Sequence, residues 1–327
     1  MQLLTGLNPY GLSYHLGIHA QDTPRANPRP VGLRGFIALA AELGAKAIEL
    51  WDGWLLPMSA GELVTLRDEL GALGMVPVVS SGLEKGPIPR LIEIAAVLEA
   101  PVIRVALTGV LCGDRATSDP PWPARVAAVR EKLARYAPLA AAAGRVIGIE
   151  NHQDFTSREL VSLCEEFGPG LGIVYDTGNS FPVAEAPLDF TRVVAPYVRH
   201  VHLKDYNVQP TPEGFRLVRS ALGDGAVPFG EILALLGEHL EEVTACMELA
   251  ALEARHVRLN TDAWWQGYPP RDEAAVARCI AATTINPLPA GADYRTPWEK
   301  GEDDRLAAWE LDMIRRSAAN MRRLGIL

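Results

Sequence analysis

The segment PYVRHVHLKDY, residues 196–206, combines the pattern of a buried strand with a row of polar side chains. Its apolar positions are Val198, Val201 and Leu203. β-Branched and aliphatic residues in a short run predict a buried β-strand. Because side chains alternate along a strand, His200, His202 and Lys204 share one face. Buried polar groups without partners are unfavourable, so this face predicts hydrogen-bond partners, a ligand or a metal supplied by other parts of the chain.

Short apolar runs of this kind alternate with helical patterns along the chain. We predict eight strands, in residues 11–15, 45–51, 75–81, 101–108, 145–151, 171–177, 199–205 and 242–249. Helical segments such as residues 35–44 and 59–74 end in Gly, a usual helix stop. Eight β–α units favour a closed (β/α)8 TIM barrel of parallel strands over an open doubly wound sheet. No G-x-G-x-x-G follows the first predicted strand, which argues against a dinucleotide-binding sheet.

The length of 327 residues is that of one α/β barrel, so we predict a single domain over residues 1–327. Residues 207–229 are predicted to form a long loop after the seventh strand, with a short hairpin around residues 213–214. Residues 255–327 are predicted to contain the eighth helix and a C-terminal extension packed on the barrel. No low-complexity linker separates this tail from the rest of the chain.

Composition limits the classes of partner. The formal net charge of −9 argues against binding of nucleic acid, which needs a basic face, although a few local Lys or Arg residues suffice for a small anion. The four cysteines form no C-x-x-C pair, as is typical of reduced cytosolic proteins. We see no signal-peptide pattern and no apolar run of the roughly 18 residues that a membrane span needs. We therefore predict a cytoplasmic protein with a small-molecule substrate and no membrane partner, and we leave homo-oligomer formation open.

Polar side chains gather where the predicted strands end. In a (β/α)8 barrel the active site lies at the carboxyl ends of the strands. The side chains at those ends are Glu49, Glu150, His152, Asp176, Asn179, His202, Lys204 and Glu248. The candidate metal ligands among them are Glu150, Asp176, His202 and Glu248. Three carboxylates and an imidazole suit Mn²⁺ or Mg²⁺, with Co²⁺ and Fe²⁺ as alternatives, and Zn²⁺ is less natural without thiolates.

We expect Asn179, His152 and Lys204 to contact substrate. For His152 the alternative is a histidine of the loop, and for Lys204 it is an ion pair with Asp205 or Glu248. Glu49 is either a substrate contact or a salt-bridged residue, and His200 either supports the site or fills the core. Two more distant candidates are Trp265, which beside Trp264 forms an apolar lid or packs the tail, and Arg216, which binds an anion or lies on a solvated hairpin.

The motifs VIGIENH, GIVYDTGN, HVHLKD, LGDG and CMELA occur in this order between Gly35 and Leu249. Together they resemble the xylose isomerase-like TIM-barrel superfamily of sugar phosphate isomerases and epimerases, which also includes AP endonuclease family 2. The resemblance implies one divalent cation bound by Glu150, Asp176, His202 and Glu248. Asn179 departs from the pattern, because endonuclease IV-like members and ketohexose 3-epimerases have a histidine there. The same histidine-rich endonuclease pattern is missing at Ser80 and Ser81.

These patterns predict a metal-dependent isomerase or epimerase of a small keto-sugar or sugar acid. A cation chelating the carbonyl oxygen and a neighbouring hydroxyl acidifies the C–H between them. Glu150 and Glu248 are the predicted acid–base pair that moves this proton through a metal-stabilised enediolate. A lyase uses the same intermediate and expels a leaving group, as in decarboxylation, dehydration or cleavage of a keto-sugar. A catalytically silent sugar-binding barrel is a third alternative.

Overall fold

The computed structural model describes residues 1–289 and 291–327. Eight parallel strands close into a barrel. They are β1 (Gln2–Leu7), β2 (Ala47–Trp51), β3 (Val76–Gly82), β4 (Val102–Ala106), β5 (Val146–Glu150), β6 (Leu171–Asp176), β7 (Val198–Leu203) and β10 (Glu242–Met247). Their spatial order is β1-β10-β7-β6-β5-β4-β3-β2. The predicted (β/α)8 barrel is confirmed. Its strands are buried on both faces, which explains their nearly continuous apolar sequences.

The helices of the barrel lie outside the strands. The α-helices are α1 (Gly32–Leu43), α2 (Asp52–Leu55), α3 (Ala60–Ala72), α4 (Ile88–Val97), α5 (Trp122–Ala142), α6 (Ser157–Phe167), α7 (Pro187–Val194), α8 (Phe229–Gly237), α9 (Glu273–Thr283), α10 (Pro297–Lys300) and α11 (Asp303–Arg323). Capping boxes start α3 and α6, where Ser59 and Thr156 accept from backbone N–H groups of the first turn. In the described part of the chain, no helix is both long and apolar enough to cross a membrane.

The first predicted strand was misplaced. Residues 11–15 do not form a strand, because Asn8 caps a 3-10 helix over Pro9–Leu12 and the chain turns there. The first strand is instead β1, whose six residues pair in parallel with Glu242–Met247 of β10. The side chain of Asn8 accepts from the Tyr10 N–H, which ends the strand immediately before the turn. The barrel still has eight strands, but the first of them lies earlier in the chain than predicted.

A small antiparallel sheet follows the seventh barrel strand. It consists of β8 (Tyr206–Thr211), β9 (Gly214–Arg219) and β11 (Arg255–Val257), in the order β11-β9-β8. The hairpin predicted around residues 213–214 is confirmed. Gly214 has φ +150°, and a Cβ there would lie 2.2 Å from the Val257 carbonyl oxygen, so the close approach of β11 needs glycine. This sheet connects the loop after β7 to the loop after β10, at the carboxyl end of the barrel.

The C-terminal helix α11 packs directly on the barrel. Its residues Ile314, Ala318 and Met321 are buried in the same apolar cluster as Leu7 of β1 and Phe36 of α1. A barrel helix must bury one apolar stripe against the strands, and α11 does so beside the first and last strands. We propose from this shared core that residues 255–327 belong to the barrel domain, and the single-domain organisation stays a prediction.

Candidate metal centre

The inward-facing side chains of the barrel change from apolar to charged toward the carboxyl ends of the strands. Val78, Val102 and Val174 form an apolar cluster. Arg104 follows Val102 by two residues, and Asp176 follows Val174 by two residues. Because the period of a strand is two, these charged groups lie on the same inward faces, one layer nearer the mouth. The strands thereby deliver polar groups to one layer above an apolar floor.

Four side chains of metal-binding type meet in this layer. Glu150 and Asp176 are the last residues of β5 and β6, His202 lies in β7, and Glu248 directly follows β10. One donor atom from each lies within 4.8 Å of the donor atoms of the other three. All four residues are buried. Donor atoms this close are compatible with a single cation held between them.

The imidazole of His202 lies between carboxylates on both sides. Its Nδ1 is 2.6 Å from Glu248 Oε2 and 3.2 Å from Glu150 Oε1. Its Nε2 is 2.6 Å from Glu49 Oε2. Although Glu248 Oε2 is so close to Nδ1, it receives no well-directed hydrogen bond from the described residues. A buried oxygen in this state is unfavourable, and a cation shared with Nδ1 would satisfy it.

Two side-chain cations share the layer with the carboxylates. Lys204 Nζ is 2.5 Å from Asp176 Oδ2 and 2.9 Å from Glu248 Oε1. Arg104 forms a buried ion pair with Glu150. Glu49 and the three carboxylates among the candidate ligands carry four negative charges, which is two more than Lys204 and Arg104 balance. One divalent cation beside a neutral His202 would balance that excess, so the residues present fit a metal site.

The electrostatics of the layer reflect this crowding. Burial raises the pKa of Asp176 to about 7, against the attraction of Lys204 and with the repulsion of Glu248. Burial also opposes ionisation of Glu248, but Lys204 and the His202 imidazolium of the metal-free protein, whose own pKa the carboxylates raise, outweigh it and lower the pKa of Glu248 to about 2. Burial lowers the pKa of His152 to about 4, so this imidazole is neutral. The carboxylates of this layer therefore differ in how readily they ionise. A bound cation would favour the ionised form of each of them.

A cavity of about 460 Å³ opens above the layer. Its charged and polar wall includes Arg104, His152, Lys204, Glu248 and Arg255, and its aromatic wall includes Tyr10, Trp51 and Tyr206. Ligand pockets typically have several hundred Å³ and a few convergent polar groups. The cavity is therefore large enough for a small polyhydroxylated molecule that reaches Lys204 and Glu248 at its base.

Comparison with known proteins gives the family. The model of the family described as xylose isomerase-like TIM barrel matches residues 37–266, which is more than half of the chain. This protein belongs to that family. The uncharacterized protein YihM of Escherichia coli K12 is 34% identical over 106 residues, which are 31% of this chain and only 32% of YihM. The 3-oxo-isoapionate decarboxylase of Pectobacterium atrosepticum is 24% identical over 244 residues, covering 73% of this chain and 81% of that enzyme.

The solved structures agree on the fold. A xylose isomerase-like TIM barrel protein from Mycobacterium smegmatis, in complex with magnesium, superposes with a TM-score of 0.53 at 18% identity. The match covers 80% of this chain and 91% of that chain. Similarity at this identity shows that the two proteins share the barrel architecture.

The structure divides the substrate contacts predicted for this xylose isomerase-like barrel into three groups. His152 and Lys204 line the cavity, and their contact with substrate stays a prediction. Glu49 lies behind His202, fully buried. Asn179 is also buried, where it donates to Asp176 Oδ2 at 2.8 Å and accepts from the Tyr206 hydroxyl. Glu49 and Asn179 therefore contact the candidate ligands themselves.

Two predicted contacts lie away from the carboxylate layer. Trp265 lines a separate cavity of about 340 Å³ beside α6, α7 and α9, and its Nε1 donates to the Leu259 carbonyl. Arg216 of β9 donates to Gln209 and lies over the Tyr294 ring. The structure thus does not bring these two residues to the cavity above the candidate metal centre. Arg216 lies in the hairpin after β7 and Trp265 in the segment after β10, so the strand pattern of the barrel does not determine their positions.

Sequence reasoning missed most of the cavity wall, including Arg104, Tyr10 and Arg255. Arg104 carried a usable signal, because a lone charge in the buried strand VIRVA requires a counter-ion. It lies opposite Gly148 in the register of β4 and β5. Tyr10 lies in the 3-10 helix after β1, immediately before the residues where the first strand was wrongly predicted. Arg255 lies in β11, whose pairing with β9 has no pattern in the sequence.

Proposed function

We propose that this protein is a divalent-metal-dependent enzyme that moves a proton on carbon next to the carbonyl of a small keto-sugar or sugar acid. The observation that carries the proposal is the cluster of Glu150, Asp176, His202 and Glu248 at the base of a cavity lined by Lys204. These four residues would hold the cation. The oxygen-rich set favours Mn²⁺ or Mg²⁺, and Co²⁺, Fe²⁺ and Zn²⁺ are compatible with it.

A bound cation supplies Lewis-acid polarisation of the substrate carbonyl, which acidifies the neighbouring C–H. Among the two predicted acid–base residues, Glu248 lines the cavity, whereas Glu150 is fully buried against Arg104. We therefore assign the first proton abstraction to Glu248. The ammonium of Lys204, 2.9 Å from Glu248 Oε1, can donate a hydrogen bond to a substrate oxygen that gains negative charge.

The second proton-transfer group is either Glu150 or His152. Glu150 belongs to a different strand from Glu248, so the two carboxylates approach from different sides of the mouth. His152 lines the cavity as a neutral imidazole, and its Nδ1 has no hydrogen-bond partner in the described residues. A neutral imidazole can either accept or donate a proton. Both assignments give isomerisation or epimerisation when the proton returns to carbon.

Lyase chemistry is the second candidate, favoured by the decarboxylase similarity over 73% of the chain. The cavity also presents Arg104, Lys204 and Arg255, groups that can receive a carboxylate of a sugar acid. Loss of carbon dioxide from a β-keto acid leaves the same type of enolate that proton abstraction gives. Release of carbon dioxide from a panel of keto-sugar acids identifies a decarboxylase, and a changed sugar configuration without mass loss identifies an isomerase or epimerase.

The experiment uses NMR to follow the replacement of the substrate α-hydrogen by deuterium from D₂O, over a panel of ketoses and keto-sugar acids. It compares the native protein with Glu248→Gln, Glu150→Gln and His152→Gln. Gln keeps an oxygen for the metal but cannot take the proton. We expect Glu248→Gln to slow exchange at least 100-fold, from typical general-base contributions. Glu253→Gln is the matched control, because Glu253 lines the same cavity outside the carboxylate layer.

Exchange at the native rate in metal-loaded Glu248→Gln contradicts the assignment of the base. No exchange, no product and no decarboxylation by the metal-loaded native protein over the whole panel contradicts the proposed enzyme and favours a silent sugar-binding barrel. The slower of Glu150→Gln and His152→Gln identifies the second proton-transfer group.

A further inference from the structure

A network of hydrogen bonds lies beneath the metal centre, away from the cavity. Glu49 Oε2 is 2.6 Å from His202 Nε2 and 3.3 Å from His200 Nε2. His200 Nδ1 is 2.7 Å from the hydroxyl of Thr244. Glu49 and both histidines are fully buried, and Thr244 is nearly so. The network joins β2, β7 and β10, and it ends on the ring of one candidate ligand.

The hydrogens of this network can be placed in one consistent way. His202 Nδ1 faces Glu150 and Glu248, so Nδ1 is the nitrogen available to a cation. A nitrogen that binds a cation carries no proton. Its Nε2 then carries the proton and donates to Glu49 Oε2. His200 Nε2 donates to the same oxygen, and its Nδ1 accepts from the Thr244 hydroxyl. In this arrangement every donor has an acceptor.

Asn8 opposes this arrangement. The side-chain oxygen of Asn8 accepts from the Tyr10 N–H, which turns its amide Nδ2 toward His202 Nε2 at 3.4 Å. A donor at this position favours an unprotonated Nε2, and the proton would then move to Nδ1, where Glu150 and Glu248 would accept it. Only the carboxylate of Glu49 supplies an acceptor for Nε2 in the described part of the chain. The balance between Asn8 and Glu49 therefore decides which nitrogen of His202 carries the proton, and so whether Nδ1 is free to bind a cation.

We propose that Glu49 is a positioning residue for the metal centre: it holds His202 in the tautomer that presents Nδ1 to the cation, with His200 and Thr244 fixing its carboxylate. This inference rests on the proposed metal site and deepens it. It replaces the substrate contact predicted for Glu49, whose side chain is fully buried and does not line the cavity. Carboxylates behind a metal-binding histidine orient the ring and raise its affinity for metal.

The test measures Mn²⁺ affinity by titration calorimetry in the full-length protein. We expect Glu49→Gln to bind Mn²⁺ about 10- to 100-fold more weakly than the native protein, as for other carboxylates behind a histidine ligand. Glu310→Gln is the matched control, because Glu310 is an equally buried glutamate on α11, and its Mn²⁺ affinity should stay within twofold of native. Thermal unfolding of the metal-free proteins shows whether the variants are folded.

A second readout follows the tautomer. In protein labelled with ¹⁵N-histidine and loaded with diamagnetic Mg²⁺, NMR should show His202 protonated at Nε2, with the signal identified by its loss in His202→Asn. A proton on Nδ1 in the loaded native protein overturns the proposal, and so does native-like Mn²⁺ affinity in folded Glu49→Gln. If Glu49→Gln does not fold, Thr244→Val tests the far end of the network, where several-fold weaker binding is expected and unchanged affinity overturns the proposal. Failure of the native protein to bind any divalent cation would instead contradict the proposed function.

Discussion

Asp176 is the candidate ligand whose carboxylate is most completely held by its surroundings. Its oxygens accept from the Gly178 N–H at 3.0 Å, from Asn179 Nδ2 at 2.8 Å and from Lys204. Asp176→Asn keeps the shape of the side chain but removes its charge and replaces one oxygen with a donor. We expect this variant to lose metal binding and turnover while circular dichroism and the unfolding midpoint show an intact barrel. Full metal occupancy in Asp176→Asn would contradict the ligand assignment.

At the residue scale, alternation along strands is what the sequence can reveal. It places Glu150 and Asp176 at strand ends on inward faces, and the structure brings their oxygens into one cluster. It does not reveal the depth of a side chain or its partner. Glu49 and Asn179 were predicted to contact substrate for this reason, although they bond to His202 and Asp176. Those partners come from other strands and loops, so only the closed barrel determines them.

Arg115 connects three loops at the mouth of the barrel. It donates to the carbonyls of Asp154 and Gly267, pairs with Glu159, and lies over the rings of Trp122 and Tyr268. Arg115→Met removes all of these bonds and leaves buried acceptors unpaired. We expect a loss of roughly 3 kcal/mol in the free energy of unfolding, by analogy with other broken buried pairs.

Chemical denaturation measures this loss. Arg158→Met is the matched control, because Arg158 lies in the adjacent helix α6 and is exposed, and it should change stability by less than about 0.5 kcal/mol. Equal stability of Arg115→Met and the native protein would show that the loops are held by their apolar contacts alone.

Glu310 connects α11 to the loop after β1. Its oxygens accept from the backbone N–H groups of Tyr14 and His15, and Arg219 lies 3.9 Å away. Burial raises the pKa of Glu310 to about 7, against the attraction of Arg219. The native protein therefore binds more protons than the unfolded chain between about pH 4.5 and pH 7. The stability that this group contributes is present below about pH 4.5 and is lost as the pH rises through 7.

We expect the stability difference between native protein and Glu310→Gln to change by on the order of a few kcal/mol across this window and to stay level above pH 8. Denaturant unfolding at pH 5, 6, 7 and 8 measures it. A difference that does not vary with pH would show that Glu310 is ionised throughout.

At the element scale, prediction succeeded where an element carries its own local signal. The hairpin of β8 and β9 is marked by Pro212, Glu213 and Gly214, which suit a tight turn. The first strand was placed at residues 11–15, where Leu12 and Tyr14 alternate with small or polar residues, and the pairing with β10 shows that β1 is the strand. The strand β11 has three residues and exists through its contacts with β9. Such an element has no periodicity to read.

At the scale of the whole molecule, the barrel was predictable because eight β–α units repeat the same pattern. The position of the last helix, α11, was harder to predict. The structure shows that α11, at the end of the chain, contributes Ile314, Ala318 and Met321 to the core beside β1. Its amphipathic pattern predicts a helix, but the choice of partner strand depends on the whole tail folding back over the barrel. The same folding places Arg255 at the cavity and Trp265 away from it.

The central claim is that one divalent cation is bound by Glu150, Asp176, His202 and Glu248. Crystals grown with Mn²⁺ and measured at the manganese absorption edge test it most directly. We expect a single anomalous peak per chain within about 2.5 Å of a donor atom of each of these four residues, in the range of oxygen and nitrogen ligation. A map with no peak there, and with Lys204 still bridging Asp176 and Glu248, would contradict the account.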